Sequence, residues 1–337
     1  MYGRWGRGAL FGAALVLLLA HAAAAGSSRS RSAAAGRVLD DKGGADLSSI
    51  PWPLRGQAAL VLGDGRPEAS PHEQPAPIAS LAKVMTAYVT LEQYPLSGAQ
   101  DGFTITVTED QAQVEGQGQS VVAVRAGEQL TERQLLEALL IPSGNNIARM
   151  LATGVAGSEA RFVAEMNAGA HALGMDHTLY TDPSGFDPST VSTAADQLRV
   201  FARAMRSPVF RQIVSMASVT LPVAGTLTNY NPLIAEGYAG KTGSDSAAGG
   251  CLAFSTNVTL GGHGLTVVGV VMGQGQGSDT SALLAAAGEA ATQLVESVAP
   301  AIGVRTLAAP GAGGPRGDAG PPGPPLLLAP GSASAQN

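Results

Sequence analysis

The sequence predicts an α/β chain of the α+β type: an antiparallel sheet flanked by helices, with an inserted all-helical region. Three observations carry that expectation. A short apolar run, Gln57–Leu62, stops at Gly63-Asp64-Gly65 and reads as a strand and turn. A long stretch from Ser80 to Met205 then carries a series of helix candidates. After Tyr230 come two β-type runs and a closing Ala/Leu-rich segment. Strand, helical block, strands and final helix is the order of a helix-covered antiparallel sheet rather than of a doubly wound parallel one.

The elements follow in order. Pro77 just upstream and Ser80 near its start open a helix that runs to Gln93. Leu130–Ile141 is a second helix: Thr131 caps it, Gln134 stands three residues on as in a capping box, and Pro142 stops it. Asn145–Thr153, Ser158–Leu173 and Thr193–Met205 continue the helical middle. Cys251–Asn257 and Leu265–Met272 are β-type runs around Gly261-Gly262-His263-Gly264, which suits a hairpin. Ser278–Val298 closes the body as a helix.

Composition excludes several classes. With 337 residues and 45% apolar side chains the chain is not wholly disordered, and it is long enough for a real core. A net charge of −6 leaves no basic surplus for nucleic acid. Cys251 stands alone, so there is no internal disulfide and no multi-thiolate metal site; it reads as a small buried hydrophobe. The histidines show no H-E-x-x-H spacing, and neither a metal nor a cofactor is expected.

The ends differ from the middle. Arg4 and Arg7 precede an apolar run, Ala9–Ala20, and the small residues Ala22–Ala25, which reads as a cleaved secretory signal over residues 1–25. An uncleaved N-terminal anchor is the alternative. With no cysteine beside the cleavage site, lipid attachment there is excluded. Residues 26–50 read as a linker, 51–303 as the folded body and 304–337 as a disordered Pro/Gly/Ala-rich tail. Once the signal is removed no stable membrane span is expected, and the compartment is extracytoplasmic.

The chemistry rests on scarce lysine. Against 17 Arg there are three Lys: Lys42, Lys83 and Lys241. Ser80 and Lys83 stand at i and i+3 at a helix start, so the amine lies beside the hydroxyl. A serine hydroxyl needs a neighbouring base, which neutral lysine can be and arginine cannot. The Ser80 amide near the helix N-terminus faces a developing oxyanion.

Lys241-Thr242-Gly243-Ser244 falls on a predicted edge strand. There Lys241 and the Thr242 hydroxyl offer a charge and a donor to a carboxylate, and Gly243 leaves room for a substrate backbone along the strand. The Lys241 charge would depress the Lys83 pKa if the two approach. Ser143-Gly144-Asn145, just after a helix, sets a hydroxyl and an amide at the cleft rim, one to relay a proton and one to bind a peptide carbonyl. A second S-x-N, Ser255-Thr256-Asn257, lies inside a strand after K-T-G and is set aside. Asp182 and Asp187 flank Pro183-Ser184-Gly185, which reads as a turn.

S-x-x-K, S-x-N and K-T-G in that order form the signature of penicillin-binding serine enzymes. Longer stretches narrow the resemblance: Ile78–Glu92 (IASLAKVMTAYVTLE), Leu135–Ala152 (LLEALLIPSGNNIARMLA), Phe162–Asp182 (FVAEMNAGAHALGMDHTLYTD), Asn229–Leu233 (NYNPL) and Ala239–Leu252 (AGKTGSDSAAGGCL). Over about residues 55–300 the chain resembles the low-molecular-mass D-alanyl-D-alanine carboxypeptidases, the S11 serine peptidases. The resemblance implies a β-lactamase/transpeptidase-like fold, with residues 51–303 as a bacterial catalytic domain acting on peptidoglycan stem peptides ending in D-Ala-D-Ala. β-Lactam antibiotics would be covalent inhibitors. Ser80 would form the acyl-enzyme, with Lys83 accepting its proton and Ser143 passing one to the departing D-alanine. Lys241 and Thr242 would hold the carboxylate, Asn145 would grip the acyl-side amide, and the amides of Ser80 and Ser244 would form the oxyanion hole.

Two departures stand out. No Lys or Arg lies between Lys241 and Arg305, where many family members carry a carboxylate-binding arginine. The length also leaves no room for the β-rich C-terminal domain that many of them have. A class A β-lactamase is the nearest rival, but it needs a glutamate heading an E-x-x-x-N element. Glu159, Glu165 and Glu236 are the only glutamates between Asn145 and Lys241, and none heads one. A penicillin- or peptidoglycan-sensing module that acylates without turnover would need a transmembrane or cytoplasmic partner domain, which this sequence does not encode.

Overall fold

The computed structural model describes residues 50–113, 118–260 and 263–301. The expected signal, nearly all of the linker, the tail and the tip of the Gly261-Gly262 hairpin lie outside the described residues. β1 (Gln57–Leu62) is followed by the short strands β2 (Glu68–Ala69) and β3 (Ala76–Pro77). A 3-10 turn, Ala79–Leu81, runs straight into α1 (Ala82–Gln93). Next come β4 (Thr104–Thr106), α2 (Glu109–Ala112), β5 (Gln129–Thr131), α3 (Glu132–Leu140), α4 (Asn145–Ala156) and α5 (Glu159–Ala172). β6 (Val191–Ser192), α6 (Ala194–Ala204) and α7 (Pro208–Val214) complete the middle. A hairpin, β7 (Ser218–Leu221) and β8 (Gly225–Thr228), leads to β9 (Ala239–Asp245), β10 (Gly249–Leu260), β11 (His263–Gln274) and α8 (Thr280–Ala301).

The main sheet has five antiparallel strands in the order β2-β1-β11-β10-β9. β1, β10 and β11 bury both faces by alternation, since successive side chains point to opposite sides. Ala59, Cys251, Ala253, Val270 and Met272 join the core beneath the helical region. Ala58, Leu60, Leu252, Phe254, Val267 and Val271 face the other way, against α8 residues such as Ala291 and Leu294. β9 is left as the sheet edge among the described residues, with Lys241 paired across to Ala253.

The helical region is punctuated as the capping chemistry requires. Thr131 and Gln134 form a reciprocal capping box at the start of α3, and Ser158 and Thr193 cap α5 and α6 through their side chains. The block is not purely helical, however: the two-stranded ladders β3–β6, β4–β5 and β7–β8 interrupt it. The first two are only two or three residues long, too short to show alternation.

Candidate active site

Two loops and one strand meet at the N-terminal end of α1. Ser80 lies in the 3-10 turn that precedes the helix, behind Ala79, whose φ of +45° is the left-handed region that a side chain disfavours. One turn on, Lys83 is fully buried. Its Nζ donates to Ser80 Oγ at 2.6 Å, to Asn145 Oδ1 at 2.6 Å and to the Ser184 carbonyl at 3.0 Å. Three acceptors satisfy all three N–H donors of an ammonium. Burial, joined by the charge of Lys241, pushes the Lys83 pKa well below its usual range, while Asp182 pulls it partly back. When the amine is neutral, the contact with Ser80 runs in reverse, and the hydroxyl donates to the lone pair.

Ser143 lies in the loop between α3 and α4 and has φ +64°. Such a conformation in a residue other than glycine costs about 1–3 kcal/mol and persists only when its surroundings hold it. Here the buried Lys241 donates to Ser143 Oγ at 3.0 Å and to the Thr242 carbonyl at 2.7 Å. Burial brings the Lys241 pKa down to about 7. Asn145 begins α4, and both ends of its amide are engaged: Oδ1 accepts from Lys83, and Nδ2 donates to Gln119 Oε1 at 3.2 Å. Asn146 exchanges two hydrogen bonds with the Val122 backbone, which pins the Gln119–Val122 segment over the start of α4.

Gly243 corrects one expectation. A Cβ there would sit 2.9 Å from the Ile78 carbonyl oxygen and 3.1 Å from the amide nitrogens of Ser80 and Leu81. The space that glycine leaves is therefore filled by the serine's own turn and does not open onto the free edge of β9. Thr242 is buried and Ser244 half-buried on the same strand. Ser80, Lys83 and Asn145 thus form one hydrogen-bonded set and Ser143 with Lys241 another, with Gly243 packing β9 against the first. Cys251 is buried, its thiol pushed up to about 12, as a small hydrophobe should be. The part sequence reasoning missed is the Asp182–Gly185 turn, whose Ser184 carbonyl is the third acceptor on Lys83.

A helix-borne serine with a buried lysine partner, facing the edge of a helix-covered antiparallel sheet, defines a class: serine peptidases built without a histidine in the dyad. The sequence profile of the D-alanyl-D-alanine carboxypeptidases, Peptidase S11, matches residues 68–276. A D-alanyl-D-alanine carboxypeptidase of Mycobacterium tuberculosis is 37% identical over 181 residues, 51% of this chain and 59% of that protein. A D-alanyl-D-alanine endopeptidase of Pseudomonas aeruginosa is 34% identical over 194 residues, 54% of this chain and 60% of the relative. The chain thus spans 59% and 60% of these two curated relatives. A serine-to-alanine mutant of the Streptomyces K15 DD-transpeptidase superposes with a TM-score of 0.63 at 25% identity, covering 74% of this chain and 98% of that one. The chain belongs to the D-alanyl-D-alanine carboxypeptidase family of serine peptidases.

Proposed function

We propose that the protein is an extracytoplasmic bacterial carboxypeptidase that removes the terminal D-alanine from peptidoglycan stem peptides ending in D-Ala-D-Ala. The observation that carries this reading is the 2.6 Å contact between Lys83 Nζ and Ser80 Oγ, in surroundings that favour a neutral amine. Neutral Lys83 takes the Ser80 proton as Oγ attacks the carbonyl carbon of the penultimate D-alanine. The resulting oxyanion is met by the amides of Ser80 and Ser244. Support comes from Gly243, which lets β9 approach the Ser80 amide so closely.

The tetrahedral intermediate then collapses and the C–N bond breaks. The departing amine takes the proton that Lys83 accepted, passed on through Ser143, whose hydroxyl Lys241 holds, so that Lys83 is neutral again. Water, deprotonated by Lys83, cleaves the acyl-enzyme and restores the Ser80 hydroxyl. Protein, peptide and water handle every proton and electron pair in this sequence. Lys241 and Thr242 bind the substrate carboxylate, with no second cation between Lys241 and Arg305 to share it. Asn145 grips the acyl-side amide, for which its Nδ2 exchanges Gln119 for the substrate carbonyl. β-Lactams acylate Ser80 in place of the peptide.

The positive flank and apolar run at the N-terminus support export, and no helix among the described residues is long and apolar enough to cross a membrane. Residues 51–303 serve as the catalytic domain. The test is D-alanine release from a peptide ending in D-Ala-D-Ala, using residues 26–337 beside the Ser80→Ala form. Release that vanishes in the mutant is expected. No release from folded protein that still takes up penicillin at Ser80 would overturn the carboxypeptidase reading.

A further inference from the structure

The segment Pro183-Ser184-Gly185 lies along the start of α1 and the 3-10 turn before it. The Pro183 carbonyl accepts from Thr86 Oγ1 at 2.6 Å, and the Ser184 carbonyl accepts from Lys83 Nζ at 3.0 Å. Gly185 backs onto Ala79 so closely that a Cβ there would clash with the Ala79 carbonyl oxygen. Lys83 and Thr86 stand at i and i+3 on one face of α1, and Ala79 lies in the 3-10 turn just before it, so three successive residues of the loop follow α1 back to the nucleophile's turn. One contact falls on the general base, and another on the strained residue just before the nucleophile.

A single side chain gathers this turn. Asp182 Oδ2 accepts from the Ser184 amide, the Ser184 hydroxyl and the Phe186 amide; Oδ1 accepts from the Gly185 amide and the Thr190 hydroxyl. Every partner is a donor, and among the described residues none is Lys83. Resting on the serine-peptidase reading above, we propose that Asp182 is a positioning residue that sets the Ser80–Lys83 pair in register through the Pro183–Gly185 turn. Only a carboxylate supplies acceptors on both oxygens. An amide would aim its NH2 group at two or three N–H and O–H donors, and the turn would lose its hold on the Ser184 carbonyl. Two charged groups act on Lys83 itself: Lys241 from β9 lowers its proton affinity, and Asp182 raises it.

The experiment compares wild type with Asp182→Asn by two readouts. The first is the second-order rate of acylation by a fluorescent penicillin. The second is the ionisation of Lys83 followed by NMR of 13C-lysine, tractable because the chain has only Lys42, Lys83 and Lys241. Acylation should slow by about ten- to a hundredfold, the cost of a misplaced reacting group. The Lys83 titration should move to lower pH, because its counter-charge and its aligned carbonyl acceptor are both lost. Loss of packing alone would slow acylation without that directional shift. An unchanged rate, or a Lys83 titration that stays put or rises, would overturn the proposal.

Should Asp182→Asn fail to fold, Ser184→Ala carries the test. It deletes one donor to Asp182 and keeps both the charge and the carbonyl, so acylation should fall severalfold with the Lys83 titration unmoved. An unchanged acylation rate there would overturn the proposal. Neither readout uses the peptide substrate. A wild type that takes penicillin but releases no D-alanine would sink the carboxypeptidase reading while leaving this one to be decided.

Discussion

At the scale of single residues, the site is two buried amines with opposite duties. In the proposed mechanism Lys83 is neutral when it accepts the Ser80 proton, while Lys241 is charged to hold a carboxylate. Burial lowers both, and proximity to Lys241 lowers Lys83 further. The pair should therefore give a bell-shaped pH dependence of kcat/KM, with the rising limb set by Lys83 losing its proton and the falling limb near 7 by Lys241 losing its own. Lys241→Arg keeps its charge at all working pH values, so a pH–rate profile of that variant should lack the falling limb. A limb that persists would assign it to another group. Lys83→Arg should cost about a thousandfold in acylation, within the range for losing a general base, because a guanidinium does not give up its proton. Near-normal acylation by that variant would remove Lys83 from the role.

At the scale of elements, the dyad depends on how closely β9 and α3 approach it. Gly243→Ala would push a methyl group into the Ile78–Leu81 backbone at 2.9–3.1 Å, so strand and turn must part by a few tenths of an ångström. Acylation should drop by about a hundredfold, with a stability loss of only about 1–3 kcal/mol, read by penicillin uptake and urea melts side by side. Glu132 shows the opposite economy. It opens α3 and is buried, with Oε1 lacking any partner among the described residues, and burial raises its carboxyl to about 7 from 4.5. The folded state therefore holds this proton more tightly than the unfolded chain does. The contribution to stability is full below pH 4.5 and is lost as pH rises through 7. Glu132→Gln should stabilise the protein by on the order of 2 kcal/mol at about pH 8 and leave it unchanged near pH 4.

What could be read from sequence at this scale followed strength of local signal. β1 matches its expected residues, and the Thr131, Ser158 and Thr193 caps open α3, α5 and α6. The β7–β8 hairpin went unread, although a three-residue turn closed by Gly225 at φ +70° is a hairpin device. Ser80, Lys83, Ser143 and Lys241 announced themselves because hydroxyl and amine stand in short fixed spacings. Asp182 did not, since an Asp-Pro-Ser-Gly turn looks alike whether it faces solvent or a buried lysine.

At the scale of the whole molecule, the sheet makes two layers interdependent. On β1, Ala59 belongs to the core under the helices while Ala58 and Leu60 belong to the core under α8. β10 divides the same way between Cys251 with Ala253 and Leu252 with Phe254. None of β1, β10 and β11 can leave one layer without stripping the other. β9, which carries Lys241, is held in the sheet by β10 alone among the described residues. Loosening the α8 layer would therefore reach the active site through β10 and through α8's own contacts with β9, although α8 supplies none of the proposed catalytic groups. Residues 50–303 should accordingly melt in one cooperative transition, with melting by far-UV and near-UV circular dichroism coincident. The same fragment should be acylated by penicillin at the rate of the 26–337 chain. Two separate transitions, or a fragment that folds yet acylates slowly, would show that the layers act independently or that residues beyond 303 bear on the site. Ala291→Asp, which buries a charge between α8 and the sheet, should lower the melting temperature and the acylation rate together, since α8 packs on both β10 and β9. A variant that stays folded and acylates normally would break that link.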